Sequence, residues 1–181
     1  MIKIEKQRIR FHYDAEEMWI EPWGMNALRI RATKCGNMPD EAFALDQELI
    51  NWYPDVVICK STENGAKITN GKICAVLTQG GKVTIYNDRN EVLLEEYWRN
   101  RADVTDEKCS AIEVEAREFR PNVGGDYHLT LRLESQDPNE KIFGMGQYQQ
   151  PYLNLKGMDL ELAHRNSQSS VPFAISSRGY G

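Results

Sequence analysis

Residues 66–98 read AKITNGKICAVLTQGGKVTIYNDRNEVLLEEYW. Three apolar runs in this segment are separated by Gln79-Gly80-Gly81 and by residues 87–90 (NDRN), and Asn70-Gly71 stands ahead of the first run. Glycine and asparagine accept the positive φ angles that tight hairpin turns require. The segment therefore predicts an antiparallel meander.

Short alternating apolar runs continue this pattern on both sides of the meander. The apolar positions with strand spacing near the N-terminus are Ile2, Ile4, Ile9, Phe11, Tyr13, Leu28 and Ile30. Further strands are predicted over residues 111–119, 127–133 and 171–176. Many short strands with frequent turns are typical of an all-β fold built as an antiparallel β-sandwich. The one predicted helix is short and covers residues 39–51.

The composition is that of an ordinary globular protein. The chain has 181 residues, of which 41% are hydrophobic and 27% charged, so one domain with a sizeable core is expected. Its net charge of -5 disfavours nucleic acid and anionic membranes as partners, because both require a basic face. The N-terminus lacks the apolar run of a signal peptide, and no stretch reaches membrane-spanning length.

The cysteines and histidines are dispersed along the sequence. No two cysteines form a CxxC pair, so reduced and mostly buried thiols are a better interpretation than a disulfide framework or a zinc site. The histidines are equally isolated, and we expect neither a metal nor another cofactor. With no signal peptide, these features predict a cytoplasmic protein.

The last forty residues carry the most distinctive motifs. These are FGMGQ (143–147), LNLKG (153–157), HRNSQSSVPF (164–173) and ISSRGYG (175–181), with MWIEPWG (18–24) and NALRIR (26–31) near the start. As a set and in this order, they closely resemble the N-terminal domain of family 31 glycoside hydrolases, especially bacterial α-xylosidases and α-glucosidases.

The resemblance implies a particular architecture. Such domains have a galactose mutarotase-like β-sandwich that packs against a catalytic (β/α)8 barrel, and the barrel supplies two aspartates as nucleophile and acid/base. We therefore expect residues 1–181 to be a single N-terminal domain that ends before the barrel. A retaining mechanism requires two carboxylates beside the scissile bond, so the fragment alone should be inactive. The expected partners are the barrel and an α-linked xyloside or glucoside oligosaccharide.

The resemblance also suggests a role for the polar run Arg165, Asn166, Ser167 and Gln168. These residues would form a loop over the barrel mouth, where amide and hydroxyl groups could bind sugar hydroxyls. Asn166 is the strongest candidate and Gln168 the next. An ordinary solvated turn or a contact with the barrel is the alternative interpretation.

Three aromatic residues are predicted to lie at the domain interface. The residues that could pack between the sandwich and the barrel are Phe143, Tyr148 and Tyr152. Without the barrel, we expect an exposed apolar patch near these residues. Nearby, Asp159 and Glu161 are predicted to alternate on a strand with their carboxylates about 6.6 Å apart. A solvated strand face is favoured over a catalytic pair.

Two other functions fit the same fold. A free-standing carbohydrate-binding module would use tryptophans as a stacking platform, although burial is favoured for Trp19 and Trp98. Trp23 is a further tryptophan, and residues 52–54 (WYP) form the aromatic cluster that we expect to be exposed. A mutarotase-like epimerase would need a converging histidine and glutamate for proton transfer, and His128 and His164 have no evident partners in the sequence.

Overall fold

The structure is a computed structural model that describes residues 1–39, 57–99 and 114–181. Within these ranges the regular elements are antiparallel β-strands, with no α-helix. No helix long and apolar enough to cross a membrane occurs in the described part of the chain. The chain divides into two compact units, residues 1–134 and 135–181.

The larger unit contains two main sheets. The first has four strands in sequence order: β1 (Ile2–Ile4), β2 (Ile9–Tyr13), β3 (Glu16–Pro22) and β4 (Leu28–Thr33). The second contains β5 (Val57–Thr62), β6 (Gly65–Asn70), β7 (Ile73–Thr78), β8 (Val83–Asn87), β9 (Val92–Glu96) and β12 (Leu133–Glu134). Its spatial order is β12-β9-β8-β7-β6-β5, so the predicted meander is confirmed.

The core lies between these two sheets. Its fully buried members come from β2, β3, β6, β7 and β8: Ile9, Phe11, Met18, Ile20, Ala66, Ile68, Ala75, Leu77 and Val83. They alternate along their strands, which directs them to one face of each sheet. Two antiparallel sheets that share an apolar interior make a β-sandwich, and the predicted fold class is confirmed.

A buried asparagine joins the two sheets at one end. Asn70 has no exposed surface, and its side-chain amide donates to the carbonyl oxygens of Gly24 at 2.9 Å and Ala27 at 2.7 Å. In return, the Asn26 side chain accepts from the backbone amide of Lys72 at 2.8 Å. The β3–β4 turn is thereby fixed against the β6–β7 turn.

The strand predicted over residues 127–133 is interrupted. The structure instead has β10 (Arg117–Pro121), β11 (Tyr127–Leu131) and then β12. The break falls at Arg132, whose amide donates to Ala116 while its carbonyl accepts from the amide of Tyr97. At this residue the chain changes its partner from β10 to β9, a tertiary effect that alternation cannot predict.

Two other predicted elements fall partly or almost wholly outside the described residues. The strand predicted over 111–119 starts later, at Arg117, because Val114 forms only an isolated bridge with Arg99, and residues 111–113 lie outside the described part. The predicted helix over 39–51 also lies outside it, except for Pro39.

The smaller unit is built on one hairpin. Its strands are β13 (Ile142–Gln147) and β14 (Ser169–Ser176), which pair antiparallel. The predicted strand at Asp159 and Glu161 was wrong, since both residues lie in irregular chain. A segment with alternating residues forms a strand only where a neighbouring strand supplies hydrogen-bond partners. In this unit β13 pairs with β14 and not with the segment at Asp159 and Glu161.

Candidate functional site

Two glycines shape the hairpin of the smaller unit. Gly144 and Gly146 have φ angles of 100° and 110°, and the pairing register shifts between them. A Cβ atom on Gly146 would lie 2.1 Å from the carbonyl oxygen of Ser169, and one on Gly144 would lie 2.5 Å from that of Phe173. The two backbones therefore approach closely at a β-bulge, which only glycine permits at these positions.

The predicted rim residues come together in one tight turn before β14. The backbone groups of Arg165 and Gln168 exchange hydrogen bonds of 3.2 and 3.1 Å, which places Asn166 and Ser167 at the tip. Arg165, Asn166 and Ser167 are exposed and Gln168 is half-buried. The Arg165 guanidinium pairs with the Glu161 carboxylate, whereas the two tip side chains extend into solvent and are open to a ligand.

The base of this turn is held by Ser170. Its hydroxyl donates to the carbonyl of Ala163 at 3.1 Å and lies 2.9 Å from the hydroxyl of Tyr148. Its backbone amide donates to His164 Nδ1 at 3.3 Å, so that nitrogen acts as an acceptor. Tyr148 and His164 thus help to position the turn.

An exposed apolar stripe runs along β14. Val171, Phe173 and Ile175 alternate on one face of the strand and are 50%, 53% and 48% exposed. Phe143 is directly opposite Ile175 in the register and is half-buried. A two-stranded sheet with one bare apolar face is the kind of surface that another element covers.

The predicted interface residues occupy different surroundings. Phe143 and Tyr148 are half-buried, while Tyr152 is 60% exposed and is followed by Leu153, 83% exposed. Sequence reasoning missed the three β14 side chains as surface residues, because apolar alternation normally indicates a face turned toward a core. The available signal was Pro172 within β14, since proline in a sheet is confined to edge strands and bulges.

A buried carboxylate closes the far end of the hairpin. Glu140 is 2% exposed and accepts hydrogen bonds from the hydroxyls of Ser176 and of Tyr180, the latter at 2.6 Å. Burial would raise the pKa of Glu140, but hydrogen bonds from Ser135, Ser176 and Tyr180 outweigh it and lower the pKa. Burial and the nearby carboxylate raise the pKa of Tyr180 to about 12. These hydrogen bonds hold Ser176 and Tyr180 against Glu140.

The tryptophans do not form a stacking platform in the described part of the larger unit. Trp19 is half-buried beneath the Arg8 guanidinium, 3.9 Å from the ring centroid, and its indole N–H donates to Glu17. Trp23 lies under Arg29 at 4.2 Å. Each of these two indole rings therefore has a guanidinium stacked on it. Trp52 lies outside the described residues.

The described residues contain no cluster of three or more His, Cys, Asp or Glu side chains that could hold a metal ion. Cys35, Cys59 and Cys74 are free thiols. Burial raises the pKa of Cys59, which keeps it protonated and unreactive.

Comparison with known proteins shows that this chain is similar to part of several glycoside hydrolases. The chain is 45% identical over 181 residues to an uncharacterized family 31 glucosidase, ORF2, of Pseudescherichia vulneris, covering 96% of this chain and 33% of that protein. It is 42% identical to a family 31 α-xylosidase from a soil metagenome, solved in complex with xylose. The TM-score is 0.90, over 98% of this chain and 26% of that one.

A more distant structure supports the fold alone. The family 31 α-xylosidase from Xanthomonas citri is 20% identical, with a TM-score of 0.73 over 97% of this chain and 18% of its own length. No family model matches the sequence.

These likenesses show that the chain is similar in sequence and fold to a β-sandwich part of glycoside hydrolases. More particularly, the predicted resemblance to an N-terminal domain of family 31 is confirmed. The chain spans about a third of the curated relative and about a quarter of the solved metagenomic α-xylosidase.

Proposed function

We propose that this chain is the N-terminal accessory domain of a retaining α-glycoside hydrolase, and that its substrates are α-xylosides or α-glucosides. In this role it does not hydrolyse glycosides itself. It supports a (β/α)8 catalytic barrel and contributes the turn at residues 165–168 to the rim of the active site. The names of the similar proteins support the substrate class, since they are described as a glucosidase and xylosidases.

The observation that carries the proposal is the bare apolar stripe of β14. Val171, Phe173 and Ile175 would not remain half-exposed on an isolated domain without cost, because water disfavours contiguous apolar surface. We infer that the catalytic barrel covers this stripe. The large share of each relative that the chain does not span leaves ample length for such a domain.

The turn that precedes the stripe is suited to bind neutral sugars. Asn166 and Ser167 offer amide and hydroxyl groups that can both donate and accept, which matches the chemistry of sugar hydroxyls. The close hydrogen bonding of Ser170 at the base of the turn limits its motion, and a preorganised loop loses less entropy on binding. Asn166 is the residue that we expect to contact substrate.

The experiment compares two purified proteins on p-nitrophenyl α-xyloside and α-glucoside. One is the 181-residue chain, which should release no p-nitrophenol. The other is the polypeptide that continues through the downstream reading frame, which should be active. Turnover by the chain alone would contradict the accessory role.

A pair of matched variants of the longer polypeptide tests the rim turn. Asn166→Ala should lower kcat/KM by about two- to thirteenfold, since one hydrogen bond to a neutral hydroxyl contributes about 0.5–1.5 kcal/mol. Asn139→Ala removes an exposed asparagine of the same unit and should leave kcat/KM unchanged. Equal kcat/KM for Asn166→Ala and the unmodified enzyme would exclude Asn166 from substrate binding.

A further inference from the structure

A pocket of about 430 Å³ opens in the larger unit. Its lining includes Phe11 and Tyr13 from β2, Glu16 at the start of β3, Gly80 from the β7–β8 turn, and Trp98. The volume falls within the range of roughly 300–1,000 Å³ that is usual for small-molecule sites. None of the motifs that indicate the family lies in this lining.

The polar part of the lining is held rigidly. Arg117 is only 7% exposed at its side chain, and its Nε donates to Glu16 Oε1 at 2.5 Å while Nη2 donates to the Gly81 carbonyl at 3.0 Å. Nη1 pairs with Glu96, whose second carboxylate oxygen accepts from the Val83 amide at 2.8 Å. The guanidinium therefore cannot rotate away from the pocket.

This network leaves hydrogen-bonding capacity unused. A guanidinium carries more N–H groups than are occupied by the three acceptors of Arg117 found in the described part of the chain. Likewise, only one carboxylate oxygen of Glu16 takes part in the bonds found among the described residues. Both side chains line the pocket, which thus presents a fixed donor next to a fixed acceptor.

The aromatic part of the lining is also positioned by the backbone. Gly81 has a φ of 92°, and a Cβ atom there would lie 2.6 Å from Phe11 Cζ, so the Phe11 ring packs directly against the turn. Tyr13 is on the same face of β2 as Phe11 and is 70% exposed. An exposed ring beside fixed polar groups can pack against the C–H face of a sugar ring.

We propose that this pocket binds a neutral pyranose, with the Tyr13 ring against one sugar face and Arg117 and Glu16 bonded to its hydroxyls. Charge argues against an anion, because the lining holds the carboxylates of Asp14, Glu16 and Glu115 against the cations of Lys34 and Arg117. The site goes beyond the proposed function, since it uses no residue of the 165–168 turn and needs no barrel.

The test is a titration of the ¹⁵N-labelled 181-residue chain with xylose, glucose and the open-chain polyol sorbitol, followed by NMR. Either pyranose should bind with millimolar affinity and shift the amide signals of Tyr13 and Gly80, while sorbitol should bind more weakly because it has no ring to stack. Tyr13→Ala should weaken pyranose binding by about tenfold.

Two further variants keep the result interpretable. Gly80→Leu should also abolish binding, because its side chain would enter the pocket and the added Cβ has only ordinary contacts, at 3.7 Å from Trp98 Cη2. Ile58→Ala, which shortens a half-exposed side chain elsewhere in the same unit, should bind as the unmodified chain does. Dispersed amide signals in each spectrum would show that the variants fold.

The proposal is overturned if neither pyranose shifts the pocket signals, or if Tyr13→Ala and Gly80→Leu bind as well as Ile58→Ala. A failure here leaves the accessory role intact, because that role is measured by hydrolysis with the longer polypeptide. Conversely, a chain that binds pyranose but whose extended form is inactive would support the pocket and contradict the accessory role.

Discussion

Replacement of Glu140 should loosen the smaller unit without affecting the larger one. The Glu140 carboxylate is buried and accepts from two hydroxyls near the end of β14, those of Ser176 and Tyr180. In Glu140→Ala both hydroxyls lose their acceptor, and the buried one at Ser176 cannot easily recover it from water. The hairpin that carries the 165–168 turn would then open more often.

The size of the effect follows from the number of bonds lost. A hydrogen bond to a charged acceptor contributes about 1.5–3 kcal/mol, so the three bonds from Ser135, Ser176 and Tyr180 set an upper limit of about 9 kcal/mol. Ser135 and Tyr180 are only partly buried and regain water, which brings the expected loss to about 3 kcal/mol. Because 1.4 kcal/mol corresponds to a factor of ten, opening should become about 100-fold more frequent.

Amide hydrogen exchange measures this opening directly. The informative amides are Ser176, bonded to the Tyr180 carbonyl at 2.7 Å, and Ser177, bonded to the Lys141 carbonyl at 2.9 Å. Both should exchange faster in Glu140→Ala, whereas the Ile68 amide in the core of the larger unit should be unaffected. Glu161→Ala serves as the control, since its exposed ion pair contributes at most about 1 kcal/mol.

The same carboxylate predicts a pH dependence of definite sign. The pKa of Glu140 is lowered in the folded protein from an ordinary value of 4.5, so its contribution is complete above that pH. It is lost as the pH falls through the lowered pKa. The amide introduced by Glu140→Gln does not titrate. The difference in free energy of unfolding between this variant and the unmodified chain should therefore become smaller as the pH falls. Unchanged exchange at Ser176 and Ser177 in Glu140→Ala, or a constant difference with pH, would refute the reasoning.

Two other substitutions test the remaining supports of the fold. Arg117→Ala should lower the free energy of unfolding by about 3–5 kcal/mol, because the buried Glu96 and the half-buried Glu16 lose their counter-ion. Urea denaturation should show at most about 1 kcal/mol for the exposed pair lost in Arg89→Ala. Gly146→Ala should disrupt the bulge, since its Cβ would lie 2.1 Å from the Ser169 carbonyl. The amides of β14 should then lose protection from hydrogen exchange while those of the larger unit keep theirs; native-like exchange protection throughout β14 would contradict this.

The meander and the N-terminal strands were predictable because local chemistry determines them. Turn residues such as Asn70-Gly71 and the period-two alternation of Ile9 and Phe11 act within a few residues. The change of partner at Arg132 was not predictable, because it depends on hydrogen bonds to residues far away in the sequence. The wrong prediction of a strand at Asp159 has the same cause. Alternation indicates which residues could share a face, but it does not show whether another strand lies alongside.

The candidate site shows a similar division. The resemblance located the polar turn and led to Asn166, whose contact with substrate stays a prediction. It did not indicate that Tyr148 would bond to Ser170, because that contact depends on how the hairpin closes. The network around Arg117 was equally hidden, since Glu16, Glu96 and Arg117 meet only after three separate strands have packed.

The exposed side chains of β14 explain why sequence and structure give different impressions of the same strand. Val171, Phe173 and Ile175 follow the pattern of a core strand, yet each is about half-exposed. If a second domain covers these side chains, they are buried at an interface between two domains. The alternation of apolar residues then correctly indicates burial in the longer polypeptide. On this view Phe173→Asp should leave the 181-residue chain folded but separate the domains of the longer protein, which limited proteolysis would detect as faster cleavage between the two domains. Equal cleavage rates would mean that the stripe has a different occupant.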